Sequence, residues 1–345
     1  MGSRATTAVA RVIRWFFPAG CDYARSRGLF IRGMGLIYLA AIVSWWVQAG
    51  ALVGSGGLVP MADFLERAAA HFKSEGQGRF WNVPTLFWIS SSDGFIATVC
   101  ALGVVLALLV VAGIASGPCL LVLWMIYLSL VSTGNVFMNF QWDILLLEAG
   151  VLAVMAAPWA VGRMRWKHPP PLGLGGRLAM WLCWLAVAKL MFQSGWVKLS
   201  WATPDSPEWW PDHTALTFHY MTQPLPTWTA WWMHQLPAWI HKASLWPMYF
   251  MEIVLPFCIF LGARLRFLAA LGFAALMALI LVTGNYTYFN WLTLVLCFPL
   301  VADRFWNLPA RVIRRLRSWR RTSDPDQECP ADDSPDPQGD WLVRS

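Results

Sequence analysis

The sequence predicts an all-α integral membrane protein, a bundle of about eight transmembrane helices. Of its 345 residues, 57% are hydrophobic and only 13% are charged, and the mean hydropathy is +0.49. The apolar residues occur in long blocks, without the alternation typical of a half-buried strand. Blocks of about 20 apolar residues match the bilayer core. The candidate spans, the last of them short, are residues 33–53, 94–114, 117–135, 142–162, 177–199, 244–262, 267–283 and 289–303.

The positions of the basic residues predict the orientation of these spans. Most of the 26 Lys and Arg residues fall within segments 1–32, 163–177, 264–266 and 304–344. Because membrane proteins keep positively charged loops in the cytoplasm, both termini are expected there. The net charge of +7 is then a topology signal. No nucleic-acid-binding motif accompanies it, so no nucleic-acid partner is expected.

Three segments of other character flank the transmembrane helical core, residues 33–303. Residues 1–32 form a basic amphipathic segment, with aromatic residues suited to the headgroup layer. Residues 304–321 are expected to form a basic interfacial helix. Residues 322–345 are acidic and rich in proline, and such a tail buries too little apolar surface to fold. We therefore expect a disordered C-terminal tail.

Two longer loops, residues 54–93 and 200–243, are expected outside the cytoplasm. The first contains a segment with helical apolar spacing at 61–72, which predicts a surface helix. The second is rich in tryptophan and histidine, beyond what an aromatic belt at the membrane interface requires. Two interpretations stay open for it: a structural cap on the helix ends, or an exposed binding surface. Its candidate partner-binding residues are Trp209, Trp210, His219, Tyr220, Trp231 and Trp232.

An intramembrane charged cluster of five residues is predicted within the spans: Asp143, Glu148, Lys189, Lys198 and Glu252. A charge at the centre of a lipid-exposed helix costs about 2.5–3.5 kcal/mol, so these groups must face protein, water or one another. Asp143 can cap its helix, and Lys198 can extend towards the interface. Lys189 needs a partner, either Glu148 or Glu252. Buried ion pairs, a proton relay or catalytic base, and an ion pathway all remain open.

The histidines of the second outer loop lack the spacing of metal ligands. His213 and His219 are six residues apart, and His234 and His241 are seven apart, whereas two ligands on one helix face are separated by four. No metal site is predicted, and the sequence does not indicate any cofactor. Of the seven cysteines none lies in an outer loop, which excludes a secreted disulfide framework.

Several ordered blocks resemble the lipase maturation factor family, over about residues 28–303. They are GLIYLAAIVSWWVQAGALVGSGGLVP (35–60), VPTLFW (83–88), SLVSTGNVFMNFQWDILLLEAG (129–150), KLMFQSGWVKL (189–199), LTFHYMTQPLPTWTAWW (216–232) and LVTGNYTYFN (281–290). Vertebrate members are endoplasmic-reticulum proteins that help lipases fold and dimerise. The resemblance thus implies a membrane-embedded assembly or folding factor for exported or secretory proteins, without enzymatic activity, whose partners are the bilayer and a lipase-like client.

Two further expectations concern the extent of this similarity and the membrane in which the protein lies. The large soluble segment that follows the membrane core in that family has no counterpart here, so its client-binding role is not carried over. The abundance of Arg, Ala, Gly and Trp favours a bacterial inner membrane, with the endoplasmic reticulum as the location if the chain is eukaryotic.

A more distant similarity supplies an enzyme alternative. Gly195, Lys198 and Leu199 resemble a short element of the vitamin K-dependent carboxylase-like group. It implies that Lys198 is a catalytic base acting on a lipid-soluble substrate, with Glu148 or His219 as helpers. A transporter is a second alternative, and it would require helices broken at mid-membrane.

Overall fold

The computed structural model describes residues 23–162, 174–200, 212–284 and 286–307, and these residues form helices joined by turns, without strands. The chain divides into one compact unit, residues 1–305, and a second unit, residues 306–345. Only Trp306 and Asn307 of the second unit are among the described residues. Residues 1–22 of the predicted N-terminal segment 1–32, residues 308–321 of the predicted interfacial helix 304–321 and the whole predicted tail 322–345 lie outside them.

The described residues form fourteen α-helices and one π-helical turn, besides short 3₁₀ turns. They are α1 (Ala24–Val53), α2 (Met61–Ser74), α3 (Arg79–Asn82), α4 (Asp93–Ala112), α5 (Ser116–Thr133), α6 (Gln141–Ala156), α7 (Leu174–Ser200), α8 (Ala215–Thr222), α9 (Trp228–His234), α10 (Ala238–Tyr249), a π-helical turn called the π segment (Phe250–Val254), α11 (Leu255–Cys258), α12 (Ala263–Thr283), α13 (Phe289–Cys297) and α14 (Asp303–Trp306).

Five of the described helices are long and apolar enough to cross a membrane: α1, α4, α5, α7 and α12. They confirm the prediction of an all-α integral membrane bundle. Helix α1 begins at Ala24, within the segment assigned to the N-terminal surface. Its first turn is held by the bundle, because Ser26 donates a hydrogen bond to the carbonyl oxygen of Val301 and Arg27 is buried.

The other three predicted spans are shorter or broken, and proline is the shared reason. Helix α6 has 16 residues and ends at Ala156, two residues before Pro158. The span predicted at 244–262 is divided into α10, the π segment and α11, with Pro247 and Pro256 on either side of the π segment. Helix α13 has nine residues and continues through a 3₁₀ turn that contains Pro299. Proline cannot donate the hydrogen bond that continues a helix.

Helices that follow one another in the chain pack side by side from α4 to α7, and α7 then packs on the π segment. Helix α12 packs on α13, and α13 contacts α1, α6 and α7. The chain therefore closes on itself around α13. Large buried side chains fill the interior, among them Tyr38, Tyr127, Trp184 and Phe273.

The two predicted outer loops contain short helices. Helix α2 lies where the apolar spacing predicted a surface helix. Helices α8 and α9 pack against each other, and α9 also packs against α12. We call residues 212–236 the tryptophan-rich segment.

Candidate functional site

Lys198 and Glu252 form an ion pair where α7 meets the π segment. The Lys198 ammonium donates hydrogen bonds to Glu252 Oε2 and Oε1, at 2.7 and 2.9 Å, and to the Ser194 carbonyl oxygen at 3.0 Å. The side chain of Glu252 is only 6% exposed. The pair therefore joins the last turns of α7 to the π segment.

The local sequence explains why these two elements can meet. Pro256 cannot donate to a carbonyl of the preceding turn, and the helix widens into a π turn just before it. On the facing side is Gly195. A Cβ atom there would lie 2.6 Å from Ile253 Cγ1 and 2.9 Å from Glu252 Cβ. Only glycine allows this close approach.

His219 and Tyr286 lie beside this pair. The Nδ1 atom of His219 is 3.4 Å from the Tyr286 hydroxyl oxygen. Burial lowers the pKa of His219 to about 4, and the positive charge of Lys198 acts in the same direction. Burial, followed by the negative charge of Glu252, raises the pKa of Tyr286. At neutral pH the imidazole and the phenol are therefore both uncharged.

The geometry indicates what the Lys198 site can do chemically. A protonated lysine has three N–H donors, and Ser194 and the two Glu252 oxygens supply an acceptor for each. A general base must instead be free to reach the proton of a substrate. The arrangement favours an ion pair that fixes the position of two helices. His219 lies near this site because it contacts Tyr286. Glu148 binds Lys189 and does not contribute to this site.

Glu148 of α6 binds Lys189 of α7. The Lys189 ammonium lies 2.6 Å from Glu148 Oε2 and also contacts Oε1. The sequence left the partner of Lys189 open between two carboxylates, and the structure places Glu148 there. The side chain of Lys189 is 43% exposed and that of Glu148 is 38% exposed. This pair thus lies at the surface of the bundle.

Asp143, near the start of α6, is buried and bound by two tyrosines. The hydroxyl groups of Tyr127 and Tyr288 each donate to Asp143 Oδ1 at 2.6 Å. Its other oxygen accepts from the Phe140 backbone N–H at 3.2 Å, which caps α6. Asp143 therefore joins α5, α6 and the segment before α13.

Tyr127, Tyr286 and Tyr288 were not among the site residues predicted from the sequence. A tyrosine inside an apolar block carries a hydroxyl that needs a hydrogen-bond partner, and this signal could have found them. The five intramembrane charges thus occupy three separate settings: two ion pairs and one carboxylate between tyrosines. Among the described residues, no group of three His, Cys, Asp or Glu side chains could hold a metal ion.

The tryptophan-rich segment is attached to the C-terminal end of α12. Thr227 and Thr229 donate to the Val282 carbonyl oxygen, Thr227 at 3.2 Å. Gln223 donates to the Thr283 carbonyl oxygen at 3.2 Å. The last carbonyls of a helix have no partner within the helix, so these side chains satisfy them. The segment is a cap on α12.

The opposite side of α9 presents three indole rings. Trp228, Trp231 and Trp232 are spaced so that they share one helix face, and they are 78%, 58% and 61% exposed. Ala230, on the anchored side, is buried. We call these three residues the indole face. One side of α9 thus faces the end of α12, and the other side exposes the indole face.

Two of the predicted partner-binding residues do not belong to that surface. Tyr220 is buried in an apolar cluster with Leu216, Leu245 and Tyr249, because α8 packs its apolar side on α10. His219 lies against Tyr220 and Tyr286. Tyr220 is therefore not exposed on the outer surface of this loop. Trp209 and Trp210 lie outside the described residues.

Comparison with known proteins decides the family. Residues 25–308 match the profile of the lipase maturation factor transmembrane domain. The chain belongs to the lipase maturation factor family. The resemblance noted from the ordered blocks is thereby confirmed, and the matched range covers the Lys198 site, the Glu148–Lys189 pair, Asp143 and the indole face.

Several curated relatives are similar over most of this chain. Lipase maturation factor 2 of Xenopus laevis is 39% identical over 295 residues, which are 82% of this chain and 40% of that protein. Lipase maturation factor 2 of Homo sapiens is 38% identical over 293 residues, 81% of this chain and 40% of that protein. Lipase maturation factor 1 of Homo sapiens is 28% identical over 277 residues, which are 78% of this chain and 47% of that protein. The chain thus spans less than half the length of these relatives. No solved structure matches it.

Proposed function

We propose that this chain is a membrane-embedded assembly or folding factor for exported or secretory proteins, and that its client is lipase-like. The observation that carries the proposal is the indole face. Three tryptophans on one helix face are exposed to this degree although indoles are usually well buried. Membership of the lipase maturation factor family supports the same function over the enzyme and transporter alternatives.

The anchoring of α9 makes the indole face suitable for binding a client. Thr227 and Thr229 are tied to the end of α12, and Ala230 is buried against the bundle. Helix α9 therefore cannot rotate its indoles inward without breaking these contacts. Rigid aromatic anchors lose little conformational entropy on binding, so a larger share of the contact energy stabilises the complex.

In this proposal the client is met on the non-cytoplasmic side. Helix α12 begins next to Arg264 and Arg266, and basic residues at a helix end favour the cytoplasm. The indole face lies at the other end of α12. Both chain termini would then be cytoplasmic, in a bacterial inner membrane or in the endoplasmic reticulum. An exported protein would reach the tryptophans directly after translocation.

Site-specific photocrosslinking tests the proposal. A benzophenone amino acid replaces Trp231 or Trp232, and in a control it replaces Trp159, which is comparably exposed after the end of α6. We expect an exported protein to be crosslinked from positions 231 and 232 and to be absent from the control. Mass spectrometry identifies the product. Adducts that contain only lipid at 231 and 232, or the same protein at all three positions, would overturn the proposal.

A further inference from the structure

The outward face of α6 and α7 carries polar groups within an apolar surface. On α6 the residues of this face are Ile144, Glu148, Val151 and Met155, spaced by three or four residues. On α7 the face includes Leu185, Lys189, Gln193 and Trp196. We call this the α6–α7 face. It combines exposed apolar side chains with an ion pair and an amide.

Gln193 is exposed one turn after Lys189 and makes no hydrogen bond within the part of the chain that the structure describes. An amide carries two donors and an acceptor that can take two bonds. The Glu148–Lys189 pair beside it is about 40% exposed. The ion pair is internally neutral, yet the exposed Lys189 ammonium retains one N–H donor beyond the two that bind Glu148.

Other lipid-facing helices of this protein differ from the α6–α7 face. The exposed residues in the middle of α4 are Leu102, Val105 and Leu108, and those of α12 include Leu268 and Leu271. Such surfaces suit contact with lipid tails. Ionised and amide groups at the same depth are costly in hydrocarbon, and in membrane proteins they face other helices. The α6–α7 face therefore requires a polar partner.

A second copy of this chain has the required chemistry. Symmetric dimers in a membrane have a two-fold axis along the membrane normal, so each residue meets residues at its own depth. Glu148 and Lys189 share one depth, since they bind each other. Two such pairs related by the axis can form a ring of four alternating charges. Gln193 can likewise both donate to and accept from its own copy.

We infer that the α6–α7 face is the interface of a homodimer, centred on Glu148, Lys189 and Gln193. Lys189 then binds Glu148 of its own chain and Glu148 of the second copy. The flanking residues Val151 and Leu185 pack across the axis. The indole face lies on another part of the molecule, so the inference does not depend on the proposed client.

Disulfide crosslinking in native membranes tests the location of the interface. Val151→Cys lies ten residues after the start of α6, and the matched control Leu102→Cys lies nine after the start of α4 with similar exposure. We expect mild oxidation to give a crosslinked dimer of twice the chain mass with Val151→Cys. The Leu102→Cys control should give no more dimer than the unmodified chain. Equal dimer from both variants, no dimer from either, or a product of another mass would overturn the inference.

A reversed ion pair tests the chemistry without removing the internal contact. The double variant Glu148→Lys/Lys189→Glu keeps opposite charges within each chain, so each bundle retains its pair. Two reversed chains also form an alternating ring. A reversed chain beside an unmodified one instead places Glu next to Glu and Lys next to Lys.

The experiment co-expresses two copies with different tags and measures their co-purification in mild detergent. We expect matched combinations, unmodified or reversed, to co-purify equally. The mixed combination should do so about tenfold less, since like charges at an interface oppose association. Gln193→Leu should weaken the matched dimer while leaving the melting temperature of the monomer unchanged. Co-purification that is the same in mixed and matched combinations would overturn the inference.

Discussion

The Lys198 ammonium reaches both carboxylate oxygens of Glu252, at 2.7 and 2.9 Å, from a helix that approaches the π segment most closely at Gly195. One ion pair and one missing side chain therefore fix the same junction. The pair is deeply placed, with Lys198 20% and Glu252 6% exposed. A buried pair contributes little net stability when it is intact, but loss of one partner is costly.

Removal of only one partner of this pair should destabilise the bundle. We expect Lys198→Met to lower the free energy of unfolding by about 3–5 kcal/mol, because Glu252 is left buried and unpaired. The double variant Lys198→Met/Glu252→Leu should recover most of the loss. Thermal melting in detergent, with the amount of protein in membranes, provides the measurement. If Lys198→Ala kept normal stability and abundance but lost a catalytic activity, the enzyme alternative would be supported.

The approach of α7 to the π segment should not tolerate a side chain at position 195. We expect Gly195→Ala to destabilise the protein by about 1–3 kcal/mol, because the added methyl group overlaps Ile253 and Glu252. Gly175→Ala is the matched control near the start of α7, where no atom lies within 4 Å of an added Cβ. Its melting temperature should equal or slightly exceed that of the parent. Equal effects of both variants would contradict the proposed close approach.

The sequence alone predicts the helical class and the need to partner the intramembrane charges, since both follow from the cost of polar groups in hydrocarbon. It cannot choose between Glu148 and Glu252 as the partner of Lys189, because that choice depends on how α7 packs on α6 and on the π segment. The aromatic-rich composition of the outer loop also placed Tyr220 among the candidate binding residues, whereas its burial against α10 is a tertiary effect. The prolines in the sequence indicate which spans are shortened or broken, but they do not predict that the helix forms a π turn.

The depressed pKa of His219 predicts a loss of stability in acid. The unfolded chain takes up a proton near pH 6.5, whereas the folded protein resists protonation of His219 down to about 4. The contribution of neutral His219 to the free energy of unfolding is fully present above pH 6.5. It is lost as the pH falls towards 4, and the loss amounts to about 2–3 kcal/mol. We expect the melting temperature of His219→Gln to depend less on pH over this range than that of the parent. Met221→Gln, an exposed neighbour on α8, should keep the parental slope. An unchanged slope in His219→Gln would contradict a half-buried, neutral imidazole.

Gly284 should control whether the indole face is held in place. Its φ angle is +143°, which a residue with a side chain rarely adopts, and an added Cβ would collide with Gln223. We expect Gly284→Ala to displace Gln223 from the Thr283 carbonyl and to loosen the tryptophan-rich segment. Chymotrypsin should then cleave that segment several-fold faster in membrane vesicles. Crosslinking of a client from a benzophenone amino acid at position 231 should decrease. Gly56→Ala, in open space in the other outer loop, is the control and should alter neither readout. Since Gln223 and the two threonines act on adjacent carbonyls of α12, slow cleavage in Gly284→Ala would mean that Thr227 and Thr229 hold α9 by themselves.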